Sequence, residues 1–243
     1  PDAKLAATDL ARARRWDYVL SSSAVASEAI HAAYPAHFRV LEIGQPANDI
    51  LHRASDLDAR RARRGLDADL DDLVVFHVAS ERTSWSPLVE GLTRFHQRTG
   101  RQCVVATTTP AQIDAVGPGV RVVAVDEDPD SRDPMIASDL MVTDASPLMF
   151  DYANLARPII TYLPDPQAAP RRETYVDIRR DHPGLLVESE TDLVELLARG
   201  GWDDPSITPL IARFRDRFAT FEDGTAADRL IELVFYDAIA KAS

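Results

Sequence analysis

A chain of 243 residues, 45% hydrophobic and 27% charged, has globular composition and enough length to bury a core without disulfides. Its 27 Lys+Arg against 39 Asp+Glu leave a net charge of −12, which argues against unspecific nucleic-acid binding, a process that rests on clustered cations. The single cysteine, Cys103, excludes a disulfide framework and Cys-rich zinc modules and suits a reducing cytoplasm, while no apolar run approaches the ~18 residues of a spanning helix.

In chain order, Trp16 to Leu20 reads as a short strand, and Ser21-Ser22-Ser23 offers an N-cap ahead of a helix over 24–33. A second strand, Phe38 to Ile43, stops at Gly44, and the turn Gln45-Pro46-Ala47-Asn48-Asp49 leads into a helix near Ile50. Residues 56–64 form an Arg-dense helical stretch closed by Gly65, whose missing Cβ suits a left-handed position after a helix; a linker is placed there. From Leu73 onward, apolar β-branched runs at 73–76, 102–106, 120–125, 140–143 and 158–162 alternate with segments long enough for one helix each. Ser86-Pro87 opens a helix ending near Gly100, Thr109-Pro110 one over 111–116, and Ser146-Pro147 one over 148–155. After a Pro-rich loop, Leu185 to Val187 adds a sixth strand, and helices over 189–198, 207–218 and 225–240 close the chain. Continuous apolar strands joined by helices require a parallel sheet covered on both faces. The expected fold class is α/β, a Rossmann-like doubly wound parallel sheet.

In such a sheet a ligand sits beyond the carboxyl ends of the strands, where helix N-termini present unpaired N–H groups. None of the ten glycines forms a dinucleotide fingerprint or a Walker loop, which argues against a nicotinamide dehydrogenase or an NTPase. The acid run Asp126-Glu127-Asp128-Pro129-Asp130 resembles the Asp-x-Asp metal site of some sugar transferases, although such a loop after a strand is more often simply solvated. No two histidines have ligand spacing, so no metal and no cofactor is expected.

The strongest candidate is Thr143-Asp144-Ala145-Ser146-Pro147, which follows an apolar strand and opens a helix. Two hydroxyls, first-turn amides and the positive end of the helix dipole would converge where a diphosphate could be held without an ion. Plain N-capping by Ser146 is the competing reading. His77, at a strand end, reads first as an ordinary satisfied histidine, and Arg12 to Arg15 and Arg60 to Arg64 as solvated helix faces. An electrostatic membrane contact through those arginines is the weaker reading. Arg171-Arg172, in a loop beyond a strand end, could offset the acidic background for an anionic ligand.

Residues 137–160, reading Ala-Ser-Asp-Leu-Met-Val-Thr-Asp-Ala-Ser-Pro-Leu-Met-Phe-Asp-Tyr-Ala-Asn-Leu-Ala-Arg-Pro-Ile-Ile, resemble the signature of the CDP-glycerol glycerophosphotransferase family, the teichoic acid and capsule polymer polymerases. Four further blocks fall in the same order. Trp16-Asp17-Tyr18 with 44–51 is similar to the W-D-Y and G-x-P-R-N-D-x-L blocks; Arg172, Tyr175 and Asp177 are similar to R-G-F-Y-x-D; and 218–229, containing Glu222-Asp223-Gly224, is similar to the closing block.

The resemblance implies a GT-B arrangement. Residues 1–65 would be the tail of an N-terminal, acceptor-side α/β domain and its linker, 66–200 the nucleotide-donor domain, and 201–243 closing helices. It implies attack by a polymer-end hydroxyl on the β-phosphorus of a CDP-activated polyol, with a polyol-phosphate or glycan acceptor, in the cytoplasm at the inner membrane face and without nucleic acid. Donor-binding residues carried over are Thr143, Asp144, Ser146, Arg82, Thr109 and Arg172.

The departures are specific. No His-Gly-Thr-Pro stretch, whose histidine is the implied base, occurs among the 243 residues; Thr109 stands at the second family histidine; Ala145 and Pro147 replace a Tyr and a Ser. A hydroxyl can bond a phosphate but carries no charge at neutral pH. These changes leave open a GT-B glycosyltransferase with another nucleotide-sugar donor, or a non-catalytic donor-domain fragment. Pro1 in place of Met, and lysine only at 4 and 241, read as an excised piece of a longer chain.

Overall fold

The computed structural model describes residues 11–35, 37–79, 84–113, 116–125, 132–144, 146–165 and 176–236. Two parallel sheets are present among them. The smaller pairs β1 (Tyr18–Ser21) with β2 (Arg39–Glu42) through the crossover helix α1 (Ala24–Ala33). Ser23 caps α1 by accepting the Ala26 amide at 3.2 Å, as the triple serine predicts.

Two helices, α2 (Asp49–Arg53) and α3 (Asp56–Gly65), lead to the second sheet. Its strands are β3 (Leu73–Val78), β4 (Cys103–Thr107), β5 (Val120–Ala124), β6 (Leu140–Thr143), β7 (Ile159–Tyr162) and β8 (Leu185–Val187), in the spatial order β5-β4-β3-β6-β7-β8, all parallel. Counted from β3, that is the 3-2-1-4-5-6 order of a doubly wound sheet. The expected fold class stands.

The four central strands are buried along their whole length, which is why their sequences are apolar without alternation. On one face Val74, Phe76, Met141 and Ile159 pack with α3, α5 (Asp133–Ala137), α6 (Leu148–Tyr152) and α8 (Thr208–Phe218). On the other, Leu73, Val75, Leu140 and Ile160 pack with α4 (Ser86–Thr99) and α7 (Glu190–Arg199). Trp85, Leu88, Leu92, Leu193 and Leu197 lose essentially all solvent contact between those two helices and the sheet. Gly91 permits their close approach, since a Cβ there would lie 2.7 Å from the Leu197 Cβ.

Several local expectations change. Gly65 is the last residue of α3, and the left-handed residue after it is Asp67, with φ 53°. Asp is among the few non-glycine residues that tolerate that region. The Arg60 to Arg64 stretch is not solvated throughout: Arg63 is buried, pairs with Asp139 at 2.5 Å and donates to the Asp69 and Asp72 carbonyls. Ser86 lies inside α4 and makes no cap, with Trp85 at the N-cap position. After Thr109 there is only the 3-10 turn Pro110–Gln112 in place of the first half of a helix, and α5 was not anticipated. The helix expected over 225–240 is α9 (Ala226–Ile231) followed by a π-turn over Glu232–Tyr236. No helix among the described residues is long and apolar enough to cross a membrane.

Candidate functional site

Strand order fixes where a ligand can sit. The chain runs outward from β3 to β4 and β5, then returns to lay β6 on the other side of β3, and the helices that follow β3 and β6, α4 and α6, cover opposite faces. The switch point of the sheet lies between them at the carboxyl ends, where Val78 is in register with Thr143.

At that point Thr143 is fully buried and its hydroxyl oxygen accepts the Ser146 amide at 3.1 Å. Ser146, half-buried, accepts the Leu148 amide at 3.3 Å, and its carbonyl accepts the Met149 amide at 3.1 Å. The two hydroxyl oxygens therefore hold the turn from β6 into α6, leaving each O–H proton as the group available for donation. Asp144 is half-buried in the same turn. Thr161, aligned with Thr143 on β7, is equally buried and its hydroxyl has no partner.

Thr109, half-buried, lies just past β4, two strand spacings or about 10 Å from β6. The structure thus brings Thr143, Asp144 and Ser146 into one turn and Thr109 to the same edge of the sheet. Arg82, Arg172, Ala145 and the acid run 126–130 lie outside the described residues. Among the described residues no group of three or more His, Cys, Asp and Glu is placed to hold a metal.

His77 departs from the ordinary reading. It is fully buried, its Nδ1 lies 2.9 Å from the Thr107 hydroxyl, and its Nε2 has no partner. Its ring meets Trp85 edge-on at 4.3 Å, and desolvation pushes its pKa down to about 3.

A second polar cluster joins the small sheet to the large one. Glu222 is buried and accepts the Gln45 amide at 3.1 and 3.2 Å and the Asn48 side-chain amide at 3.3 Å. The same Asn48 nitrogen donates to Asp151 at 2.9 Å, and Asp151 pairs with Arg132 at 3.3 Å. Asp49 accepts the Ala226 and Ala227 amides at 2.9 Å each, which ties off the start of α9, and His52 contacts Asn154 at 3.1 Å. Burial raises the Glu222 pKa to about 7, with Asp151 and Asp49 pushing the same way against the hydrogen bonds that favour its charge. Single residues in this cluster carry no signal that reasoning from spacing could read, because its partners lie up to 178 residues apart. What marked them was the resemblance: three separate motif blocks, 44–51, 137–160 and 218–229, meet here.

Comparison with known proteins is decisive at this point. Residues 2–236 match the family model described as CDP-Glycerol:Poly(glycerophosphate) glycerophosphotransferase. The chain belongs to this family. A teichoic acid poly(glycerol phosphate) polymerase of Bacillus subtilis is 26% identical over 239 residues, covering 92% of this chain and 32% of that protein. A teichoic acid glycerol-phosphate transferase of Staphylococcus aureus is 27% identical over 243 residues, covering 91% of this chain and 61% of that one. The chain thus spans about a third to three-fifths of these relatives. The solved wall teichoic acid polymerase TagF superposes with a TM-score of 0.81 at 23% identity, covering 99% of this chain and 62% of TagF. At that identity the likeness speaks for the fold. A lipopolysaccharide glycosyltransferase, WaaG, shares the fold more distantly, with a TM-score of 0.51 at 14% identity.

Proposed function

We propose that this family member supplies the donor-binding part of a glycerophosphotransferase that moves glycerol phosphate, or a related polyol phosphate, from a CDP-activated donor to a growing teichoic-acid-like or capsular polymer. The observation that carries the reading is the placement of the Thr143–Ser146 turn at the switch point of a sheet whose chain matches the family model along residues 2–236. The polymer-end hydroxyl attacks the β-phosphorus, a new P–O bond forms, and the bond to the bridging oxygen breaks, releasing CMP with that oxygen. The hydroxyl proton goes to a general base. The chain's own contribution is positioning and charge stabilisation. Hydroxyl protons of the 143–146 turn and of Thr109 hold the diphosphate, and Arg82 and Arg172 add the positive charge that the −12 background otherwise lacks.

The domain division at about residues 65 and 200 is part of this reading. So is a cytoplasmic site of action beside the inner membrane face, where a polymer anchored in that membrane would meet the enzyme. One observation favours a second reading: Thr109 and Ala145 replace a histidine and a tyrosine of the family pattern, which suits another nucleotide-activated donor.

Titration of the chain with CDP-glycerol, CDP-ribitol and UDP-sugars by calorimetry tests both. Saturable binding of CDP-glycerol, lost tenfold or more in Arg82→Ala and Arg172→Ala, is the expected result. Binding of a UDP-sugar alone transfers the assignment to the second reading, and binding of none overturns a donor site here.

A further inference from the structure

A chain of polar groups runs from the buried sheet to its rim at the end of β4. His77 Nδ1 lies 2.9 Å from Thr107 Oγ1, which in turn lies 3.0 Å from the Thr109 amide nitrogen and, more loosely, 3.4 Å from Thr109 Oγ1. His77 and Thr107 are fully buried; only Thr109 is partly open to solvent.

Each hydroxyl has one proton, so the direction of the chain depends on which ring nitrogen of His77 is protonated. A proton on Nδ1 is donated to Thr107; Thr107 then donates to Thr109, and the Thr109 proton is left to point away from the sheet. A proton on Nε2 instead makes Thr107 donate to Nδ1, and Thr109 then turns its own proton inward and offers only lone pairs outward.

The opposite side of the ring selects between them. Nε2 is buried without a partner, and so is Nε1 of Trp85, whose ring is in edge contact with His77. The indole nitrogen can only donate. With the indole N–H already a buried donor lacking an acceptor, a lone pair on Nε2 adds no second one, whereas a proton on Nε2 would bury two such donors side by side in the same apolar layer. Burial also keeps the imidazole neutral, so the arrangement persists across the working pH range.

We infer that His77 is a positioning residue that fixes the proton order His77 to Thr107 to Thr109, so that Thr109 presents a neutral O–H donor to an anionic phosphate group. This rests on the donor-site reading above. It also explains how a threonine can serve where the family pattern has a histidine: the charge is given up and the direction of the hydroxyl is secured from behind.

The first test is spectroscopic. In protein labelled with 15N-histidine, two-bond 1H–15N correlation spectra report the tautomer of each of the six histidines, and His77→Asn identifies the signal by its loss. The Nδ1–H form, unchanged between pH 5 and 8, is expected. An Nε2–H form or an imidazolium within that range overturns the inference. The second test is affinity for CDP-glycerol. Thr107→Val and Thr109→Val each weaken binding about tenfold, the double variant is no weaker than either single one, and His77→Asn, which keeps a polar group near the Nδ1 position, binds better than His77→Phe. Additive losses, or equal binding by the Asn and Phe variants, overturn the relay. Should the unaltered protein bind no CDP-glycerol, the donor-site reading fails, while the spectra still decide the proton order.

Discussion

Replacement of Glu222 by Gln gives the sharpest test of the cluster that joins the two sheets. The carboxyl has a pKa raised from 4.5 to about 7, chiefly because burial penalises its charged form. Between those values the folded protein holds a proton that the unfolded chain has released, so stability falls as pH rises through this window and levels off above it. At ~1.36 kcal/mol per pKa unit the shift caps the effect near 3 kcal/mol. Partial water access to the carboxylate reduces the expected figure to about 1–2 kcal/mol. The charged neighbours Asp151, Asp49, Arg132, Asp223 and Arg229 remain in both proteins, so their own titration cancels in the comparison. Urea unfolding at pH 5, 6, 7 and 8 is the assay. The wild type should lose about 1–2 kcal/mol more than Glu222→Gln between pH 5 and 8. Parallel pH profiles for the two proteins would show that Glu222 is not held protonated by its surroundings, and the reasoning would fail.

Two further changes probe the frame of the site. Gly44 has φ 84°, and a Cβ there would stand 2.7 Å from the Phe221 carbonyl oxygen and 3.0 Å from Glu222 Oε2, so Gly44→Ala should cost about 2 kcal/mol or more in urea unfolding; a loss below about 0.5 kcal/mol would refute the close approach. Asp139 accepts from both Arg63 and the Val74 amide, and Asp139→Ala strands the buried guanidinium, with an expected loss of about 3 kcal/mol and a matching fall in melting temperature.

The sheet was legible because its strands are short apolar β-branched runs, and a strand buried on both faces has no other sequence option. Leu140–Thr143 and Leu185–Val187 were located to the residue. Helices were legible where Gly or a capping serine marked an end, as at Gly100 and Ser23. Legibility failed where tertiary contacts override local signals. Arg63 looks like its three arginine neighbours, Arg60, Arg61 and Arg64, until Asp139 arrives from 76 residues away. The turn after Thr109 carries Pro at a helix-start position yet closes only one 3-10 turn. At the site, the motif placed Thr143 and Ser146 correctly at a strand end. That their oxygens are spent on the turn itself depends on rotamers that spacing does not specify. His77 was undervalued because its surroundings are set by Thr107, 30 residues on in the neighbouring strand, and by Trp85 beyond the strand end, which the fold brings to the same side of the sheet.

The hydrogen bonds that the Ala226 and Ala227 amides donate to Asp49, with those that Gln45 and Asn48 donate to Glu222, lash two distant stretches of the polypeptide into one buckle. Donor-specificity chimaeras built by exchanging the six-stranded sheet between relatives must therefore carry residues 44–52 and 218–229 as a matched set. A splice that takes one without the other sets the carboxylates of one relative against a backbone shaped to receive another's.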